Sequence, residues 1–360
     1  MPTQHTVRTQ NLQRLIRNSA LDALLVTSPA DWYYLTGFTG EAGVLIAERT
    51  RLTLVTDGRF TEQAVQELRG ASIVEQRDGL YRTCGEVLKK SRRKRVGFDA
   101  SQLTVNQMGT LRKATGSTTR FQGVEGLVQG LRARKDPGEL AEMRRAAVLA
   151  SQLVDHAIGL LKPGVREFEI AAEIEYQMRK KGASGTAFES IVAFGARAAF
   201  PHARPTAKRL RKNELVVLDL GAILGKYCSD ITRTVYVGRA PARVRLWYQA
   251  VLEAQAAAIE AIRPGRSCGE VDAAARGVLA AYQLDRYFVH STGHGLGLEV
   301  HEVPRLAKGQ KTQLASGNVI TVEPGVYLAG VGGIRIEDDV AVHEGRTEVL
   351  TRASRDFIEI

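Results

Sequence analysis

Four carboxylates stand within or directly after apolar, strand-like runs in the second half of this 360-residue sequence. Asp219 lies in Val-Val-Leu-Asp-Leu and Asp230 in Cys-Ser-Asp-Ile-Thr, while Glu323 follows Val-Ile-Thr-Val and Glu337 follows Ile-Arg-Ile. A buried carboxylate is disfavoured by desolvation, and neighbouring carboxylates repel one another unless cations lie between them. Any one of them alone could be a surface carboxylate or the partner of an arginine, but the four together favour a shared source of positive charge.

The spacing of the first pair predicts a hairpin. Asp219 and Asp230 are an odd number of residues apart, so a single strand would point them to opposite faces. Gly221 and Gly225 stand in the intervening segment and favour a turn that folds a second strand back beside the first. We therefore expect the two aspartates to meet.

One histidine completes a metal-ligand set. Gly293, Gly295 and Gly297 surround His294, which argues against a helix and lets the backbone approach closely. Four carboxylates and a neutral imidazole carry a charge of minus four, which two divalent ions cancel. Oxygen-rich ligation with one nitrogen and no thiolate suits Mn²⁺, with Co²⁺, Zn²⁺ and Fe²⁺ as alternatives. Paired ions of this kind favour hydrolysis.

Composition narrows the class of protein. The sequence is 44% hydrophobic and 25% charged, as is ordinary for a globular protein, and it has no stretch apolar enough for a leader or a membrane helix. We expect a cytoplasmic location and no membrane partner. Cys84, Cys228 and Cys268 are far apart, so they predict reduced packing residues and not a disulfide framework or a thiolate metal site.

The net charge of +11 raises the possibility of a nucleic-acid partner. The excess lies in residues 1–135, which hold 21 Lys or Arg against 12 Asp or Glu, whereas the remainder holds 29 against 27. Its densest part is the run from Lys89 to Arg95, which could contact phosphates or act as a localisation signal. Since this run lies between a helical pattern and the apolar Val96, we interpret it as a solvated turn and expect no nucleic-acid partner.

The pattern of strands and helices predicts two domains. Residues 23–26, 43–47 and 52–56 are typical of buried strands, so the first third is expected to be an α/β domain with its own sheet. A polar segment from Gly130 to Lys135 precedes Asp136-Pro137, which is typical of a helix start. We place the domains at residues 1–130 and 131–360.

The second domain contains an internal repeat. Residues 161–172 align with residues 262–273, and each copy shows a helix ending in a basic residue, a Pro-Gly break and a second helix. This predicts two similar α+β halves with a site at their junction, although two helix-breaking turns can also resemble each other by chance.

Taken together, the motifs resemble the pita-bread metallopeptidases, in particular the Xaa-Pro branch that contains prolidase and aminopeptidase P. The resemblance rests on Leu-Asp219-Leu-Gly, Ser-Asp230-Ile-Thr-Arg-Thr, Gly-His294-Gly-Leu-Gly-Leu-Glu-Val-His301-Glu, Val-Glu323-Pro-Gly and Arg-Ile-Glu337-Asp. Residues 22–38 also resemble the creatinase-like N-terminal domain of that branch. The resemblance implies an α+β pita-bread domain of two similar halves after a smaller α/β domain, and a homodimer.

The resemblance also implies roles for residues. Two metal ions would be bound by the five predicted ligands: Asp219, Asp230, His294, Glu323 and Glu337. Glu323 would also handle the proton of the nucleophile. Further residues would contact the substrate or the tetrahedral intermediate: His202, His290, His301, Arg305 and Arg335. His202 and His301 would assist catalysis.

Several functions remain open at this point. We expect a dinuclear Xaa-Pro dipeptidase that cleaves before proline in a dipeptide, because the chain is short and lacks an obvious insertion. The alternative is an Xaa-Pro aminopeptidase acting on longer peptides. A methionine aminopeptidase is disfavoured by the additional N-terminal domain, and a metal-free amidinohydrolase or a non-enzymatic binding protein is disfavoured by the complete ligand set.

Overall fold

The computed structural model describes residues 4–360. It divides into two compact units, one ending at Arg132 and the other running from Ala133 to Ile360. The division falls close to residue 130, where the sequence places the end of the first domain. No helix in the described part of the chain is both long and apolar enough to cross a membrane.

The first unit is built around a six-stranded sheet in the order β4-β3-β2-β1-β5-β6. Its strands are β1 (Ala23–Val26), β2 (Val44–Glu48), β3 (Leu52–Thr56), β4 (Ser72–Glu75), β5 (Arg95–Asp99) and β6 (Arg120–Val124). Its helices are α1 (Gln4–Asn18), α2 (Pro29–Thr36), α3 (Thr61–Glu67), α4 (Leu80–Lys90), α5 (Val105–Thr115) and α6 (Leu127–Arg132), with a 3-10 turn at Gly116–Thr118.

The three predicted strands form the centre of this sheet. β1, β2 and β3 are buried along their whole length, which explains why they are continuous apolar runs without alternation. β1 pairs in parallel with β5 and antiparallel with β2. The basic run begins in the last turn of α4 at Lys89, where cations favour the helix C-terminus, and ends at Arg95 on β5.

The second unit combines long helices with several small sheets. Its helices are α7 (Pro137–Leu160), α8 (Glu167–Lys180), α9 (Ala242–Ala261) and α10 (Cys268–Ala281), with 3-10 turns at Gly195–Ala199 and Asp285–Tyr287. Its strands are β7 (Gly185–Thr186), β8 (Ile191–Phe194), β9 (Glu214–Leu220), β10 (Ala222–Leu224), β11 (Tyr227–Cys228), β12 (Ile231–Val237), β13 (Gly293–Gly295), β14 (Glu302–Leu306), β15 (Val319–Val322), β16 (Gly325–Leu328), β17 (Gly332–Arg335), β18 (Asp338–His343) and β19 (Arg346–Val349).

The internal repeat is present in the structure. α8 and α10 are each 14 residues long and begin at Glu167 and Cys268, in the register that the sequence alignment predicts. α7 and α9 end at Leu160 and Ala261, also in that register. They end before the basic residues Lys162 and Arg263, and not at them as predicted, because a residue that precedes proline is disfavoured in the helical conformation.

Capping explains where the helices of this unit start. The side chain of Asp136 accepts hydrogen bonds from the backbone N–H groups of Gly138 and Glu139, and Glu139 caps the backbone of Asp136 in return. Ser267 and Glu270 form the same capping box at α10. Such boxes satisfy N–H groups that have no partner within the helix.

Two sheets carry the predicted ligands. One has the order β12-β9-β8, and the other has the order β14-β13-β15-β18-β19. Both are antiparallel, and strands β9, β12, β15 and β18 are almost entirely buried. The carboxylates are therefore held on rigid elements in the core of this unit.

Candidate metal centre

The predicted hairpin brings the two aspartates together. β9 and β12 pair antiparallel with Asp219 opposite Thr232, and Asp230 directly precedes β12. Between them β10 and β11 extend the hairpin and close it at Gly225 and Lys226, both of which have positive φ. Asp219 and Asp230 are 6% and 5% exposed.

His294 lies on β13, between β14 and β15. A Cβ atom added at Gly293 would lie 2.0 Å from the backbone oxygen of Thr321, so only glycine permits this close approach of the strands. The Nδ1 atom of His294 donates to the Gly295 carbonyl at 3.0 Å. Its Nε2 atom lies 3.4 Å from Glu323 Oε1 and 3.8 Å from Asp230 Oδ2.

The two glutamates follow buried strands of the second half. Glu323 comes directly after β15, and its N–H donates to the Thr292 carbonyl at 2.8 Å. Glu337 lies between β17 and β18. Its Oε2 atom accepts a 2.6 Å hydrogen bond from the hydroxyl of Thr232, which joins the two halves of the unit at this point.

The donor atoms form one cluster. One ligand atom each of Asp230, His294 and Glu337 lie within 4.8 Å of one another. The Oδ1 atoms of Asp219 and Asp230 are buried and accept no hydrogen bond from any residue that the structure describes. Buried oxygens without donors are costly, and a divalent cation would satisfy them. The residues present therefore fit a metal ion.

The electrostatics of the cluster also favour a bound metal ion. Burial, followed by the charge of Glu337, raises the pKa of Asp230 well above its usual range. Burial likewise raises the pKa of Glu337 well above its usual range, and that of Glu323 to about 7. Burial lowers the pKa of His294, which keeps the imidazole neutral and able to ligate.

A network of buried polar side chains contacts the cluster. The guanidinium of Arg335 is buried and donates to Asp219 Oδ2 at 2.5 Å, to Thr232 Oγ1 at 3.0 Å and to Tyr327 Oη at 2.6 Å. Arg335 therefore contacts the site through its hydrogen bond to Asp219. Sequence reasoning missed Thr232, which stands inside a quoted motif, and Tyr327, which lies two residues after another.

The predicted substrate histidines have different surroundings. His290 Nδ1 donates to the Ser291 carbonyl and its Nε2 accepts from the Tyr327 hydroxyl, both at 2.9 Å. Burial lowers the pKa of His290 to about 3, so this ring is neutral. The rings of His301 and His294 lie 4.3 Å apart between centroids, and His301 is exposed.

The other two predicted substrate residues are exposed at the same centre. Arg335 also donates to the carbonyl of Pro201, the residue before His202, at 3.2 Å, which places His202 beside the cluster. Arg305 pairs directly with His294 across β13 and β14. The structure thus gathers all ten predicted site residues around one centre, with His202, His301 and Arg305 on its exposed side.

A buried centre rich in carboxylates, held within two similar α+β halves, defines the class of metal-dependent hydrolases that the motifs predict. Residues 141–344 match metallopeptidase family M24, and residues 8–134 match the creatinase/prolidase N-terminal domain. The first match covers more than half of the chain and includes all five predicted ligands. The chain therefore belongs to metallopeptidase family M24, whose members depend on divalent metal ions.

Relatives resemble the chain over nearly its full length. The Xaa-Pro dipeptidase of Pyrococcus furiosus is 35% identical, with 98% of this chain and 99% of that protein covered. The structure of the Xaa-Pro dipeptidase from Bacillus anthracis has a TM-score of 0.95 at 35% identity, covering 99% and 100%. That of the X-Pro aminopeptidase from Thermotoga maritima has a TM-score of 0.88 at 33% identity, covering 97% and 99%.

Proposed function

We propose that this protein is an Xaa-Pro dipeptidase, a metallopeptidase that hydrolyses the bond between an N-terminal residue and proline. The observation that carries the proposal is the cluster of buried carboxylates around the free Nε2 atom of His294. The full-length similarity to Xaa-Pro dipeptidases supports the choice of substrate.

Asp219, Asp230, His294, Glu323 and Glu337 would hold two divalent ions, most simply Mn²⁺, with Co²⁺, Zn²⁺ or Fe²⁺ as alternatives. When bound, such ions polarise a carbonyl oxygen and lower the pKa of water. The donor set has one nitrogen and no sulfur, which disfavours a structural zinc site. Asp230 and Glu337 each lie close to ligand atoms of the other half, so both halves would contribute to holding the ions.

Glu323 is the proposed residue for proton transfer. Its carboxylate lies in the cluster, 3.4 Å from His294 Nε2, where it can accept the proton of a water held by the ions. Its backbone is fixed by Thr292 and its Oε1 atom accepts from the Thr321 hydroxyl at 3.3 Å. Glu323 can therefore hold a proton at its carboxylate and pass it to the departing proline nitrogen.

The exposed side chains would bind the peptide. His202 and His301 lie on the solvent side, where each can donate a hydrogen bond to the oxygen of the scissile carbonyl. Arg305 can pair with a carboxylate at the far end of the peptide. His290, whose ring nitrogens are both engaged, would contact the substrate with a neutral ring and without donating a proton.

This arrangement suits a bond before proline. An Xaa-Pro amide has no N–H, so a peptidase that grips this N–H cannot position it. The proposed centre acts on the carbonyl side of the bond and does not need that donor. Proline-containing dipeptides or oligopeptides are thus the proposed partners.

The test compares peptides of different length. Purified protein loaded with Mn²⁺ should hydrolyse Ala-Pro with a higher kcat/KM than Ala-Pro-Ala, and both faster than Met-Ala. Faster cleavage of the tripeptide would favour the alternative, an Xaa-Pro aminopeptidase, which the similarity to the Thermotoga maritima enzyme supports. Preference for Met-Ala would contradict both.

A substitution tests the site itself. Asp230→Asn removes one charge from the buried cluster and should lower both bound metal and turnover, the latter by at least about 1,000-fold if the residue is essential. The matched control is Asp57→Asn, which removes a partly exposed carboxylate paired with Arg59 in the first unit. Unchanged metal content and activity in Asp230→Asn would show that the site is assigned wrongly.

A further inference from the structure

Each half of the second unit buries one carboxylate that the proposed chemistry does not use. Glu167, the first residue of α8, is 0% exposed, and Asp272 on α10 is 1% exposed. Both helices follow a Pro-Gly break of the internal repeat. Neither residue belongs to the predicted ligand set, and buried carboxylates persist only where they are well paired.

Asp272 holds the segment that carries His290. Its Oδ1 atom accepts from the backbone N–H of Thr292 at 3.2 Å and from the Thr292 hydroxyl at 2.8 Å. Its Oδ2 atom pairs with Arg276 at 2.8 Å, and Arg276 in turn donates to the carbonyl of His290 at 2.5 Å. The Thr292 carbonyl then accepts the N–H of Glu323. Two successive hydrogen bonds through Thr292 thus connect Asp272 to the backbone of Glu323, the proposed proton-transfer residue.

Glu167 holds the segment that carries His202. Its Oε1 atom accepts from the N–H of Phe194 at 2.9 Å, where β8 ends. Its Oε2 atom accepts from the N–H and the hydroxyl of Thr206, at 2.9 Å and 2.6 Å. Arg197, which also donates to the Arg204 carbonyl, pairs with the same carboxylate. Glu167 therefore ties both ends of residues 194–206.

The two arrangements correspond to each other within the repeat. In the alignment of α8 with α10, Glu167 matches Cys268, and Asp272 lies one helical turn further along the same face. Each carboxylate accepts the N–H and the hydroxyl of one threonine, and each pairs with one arginine. Each half thus fixes a histidine-containing segment with a buried carboxylate, and this carboxylate occupies a different position of the repeat in the two halves.

We propose that Glu167 and Asp272 are positioning residues, one in each half, that fix the segments of His202 and of His290 and Glu323 relative to the metal ligands. This inference rests on the proposed function. Its physical basis is that each carboxylate accepts several hydrogen bonds from one segment, in the second half in addition to the bond from the Thr292 N–H to the Leu306 carbonyl. A displacement of about 1 Å at a reacting group costs about 100-fold in rate.

The experiment compares Glu167→Gln and Asp272→Asn with Glu169→Gln and Glu270→Gln. The controls remove exposed acids at equivalent capping positions of the same two helices, so they weaken the helix starts without touching the segments. On Ala-Pro, the two test variants should lose about 10-fold to 100-fold in kcat, with metal content unchanged and KM altered less than kcat. The controls should keep kcat within about twofold of the unsubstituted protein.

Amide hydrogen exchange gives a readout that does not depend on activity. Asp272→Asn should raise exchange in residues 288–294 and leave residues 194–206 protected, and Glu167→Gln should do the reverse. Should the unsubstituted protein fail to cleave Ala-Pro, the proposed function is wrong, while the exchange pattern still decides the positioning role. The positioning role would be overturned by an equal increase of exchange in both segments, or by kcat losses equal to those of the controls.

Milder variants cover the case in which a carboxylate substitution prevents folding. Thr292→Val and Thr206→Val each remove one hydroxyl donor and leave the carboxylate paired with its arginine. Each should lower kcat and loosen its own segment, and Thr292→Ser and Thr206→Ser, which keep the hydroxyl, should restore both. Equal behaviour of the Val and Ser variants would contradict the inference.

Discussion

His294 has one ring nitrogen committed and one available. The Gly295 carbonyl fixes the proton on Nδ1, which leaves the lone pair of Nε2 facing Glu323 and Asp230. This assignment follows because a carbonyl oxygen only accepts hydrogen bonds. Burial lowers the pKa of the ring, so the neutral form that a metal needs is the form present near neutral pH.

Thr232 offers a test of how the carboxylates are oriented. Thr232→Val keeps the shape of the side chain but leaves Glu337 Oε2 without its donor, so Mn²⁺ affinity should fall about 10-fold to 100-fold. The control is Thr234→Val on the same strand and face, since the Thr234 hydroxyl bonds only to the backbone of Arg335. Isothermal titration calorimetry measures both. Equal affinities in the two variants would show that the Thr232 hydroxyl does not orient the ligand.

Among individual residues, the sequence could indicate the charged groups but not the residues that form hydrogen bonds with the site. Asp219 and Glu323 stand out because a carboxylate in an apolar run is unusual and requires an explanation. The hydroxyls of Thr232 and Tyr327 do not stand out, because threonine and tyrosine are ordinary strand residues. Their roles depend on hydrogen bonds to Glu337 and His290, which lie 105 and 37 residues away.

Among the elements, β13 depends on glycine more than any other strand of the site. Gly293→Ala would place a Cβ atom 2.0 Å from the Thr321 carbonyl oxygen, push β13 away from β15 and displace His294. We expect a loss of about 1–3 kcal/mol in the free energy of unfolding, with weaker metal binding.

Gly277→Ala on α10 is the matched control for that substitution. The Cβ atom would meet no other atom within 4 Å at this exposed helical position. The variant should gain about 0.5–1 kcal/mol, because alanine is the better helix former. Chemical denaturation of both variants checks the prediction. A Gly293→Ala protein as stable as Gly277→Ala would contradict the described strand approach.

Elements with strong local signals were predictable from the sequence. The capping residues of α7, the buried strands of the first sheet and the hairpin between Asp219 and Asp230 all follow from nearby residues. The order β14-β13-β15-β18-β19 does not, because it depends on pairing between residues far apart in the chain. The three residues of β13 give no strand signal at all, since Gly-His-Gly has low strand propensity.

For the molecule as a whole, the predicted fold class and family are confirmed by the family matches and by the similarity to solved prolidase structures. Sequence motifs sufficed because the five predicted ligands occur in order, each within its own motif, in the second unit. The preference for dipeptides over longer peptides stays a prediction, because no local motif encodes it. The identity of the metal, the homodimer and the cytoplasmic location stay predictions.

The buried carboxylates make the stability of the metal-free protein depend on pH. Burial raises the pKa of Glu323 from its ordinary 4.5 to about 7, and raises those of Asp230 and Glu337 as well. Groups with a raised pKa contribute stability that is fully present below their ordinary pKa and is lost as pH rises through the folded-state value. His290 and His294, whose pKa values are lowered from 6.5 by burial, act in the opposite direction below that pH, so the Tm of chelated protein should fall between about pH 6.5 and pH 8.

Added Mn²⁺ should reverse this loss, because it compensates the ionised carboxylates, and its effect on Tm should be larger at pH 8 than at pH 6. Chelated Asp230→Asn, which lacks one of the charges, should show a flatter dependence on pH. Differential scanning calorimetry with and without metal measures all of these. A chelated protein whose Tm is the same at about pH 6.5 and pH 8 would exclude a buried, repulsive cluster.

The spread of the proposed ligands along the chain has a consequence for biosynthesis. Asp219 and Asp230 come from the first half of the catalytic unit, whereas Glu337 lies beyond β17 and near the end of the second. A growing chain would release the first hairpin from the ribosome long before Glu337. The full metal centre therefore cannot assemble during most of translation, and metal uptake would mark a chain whose two halves have already docked.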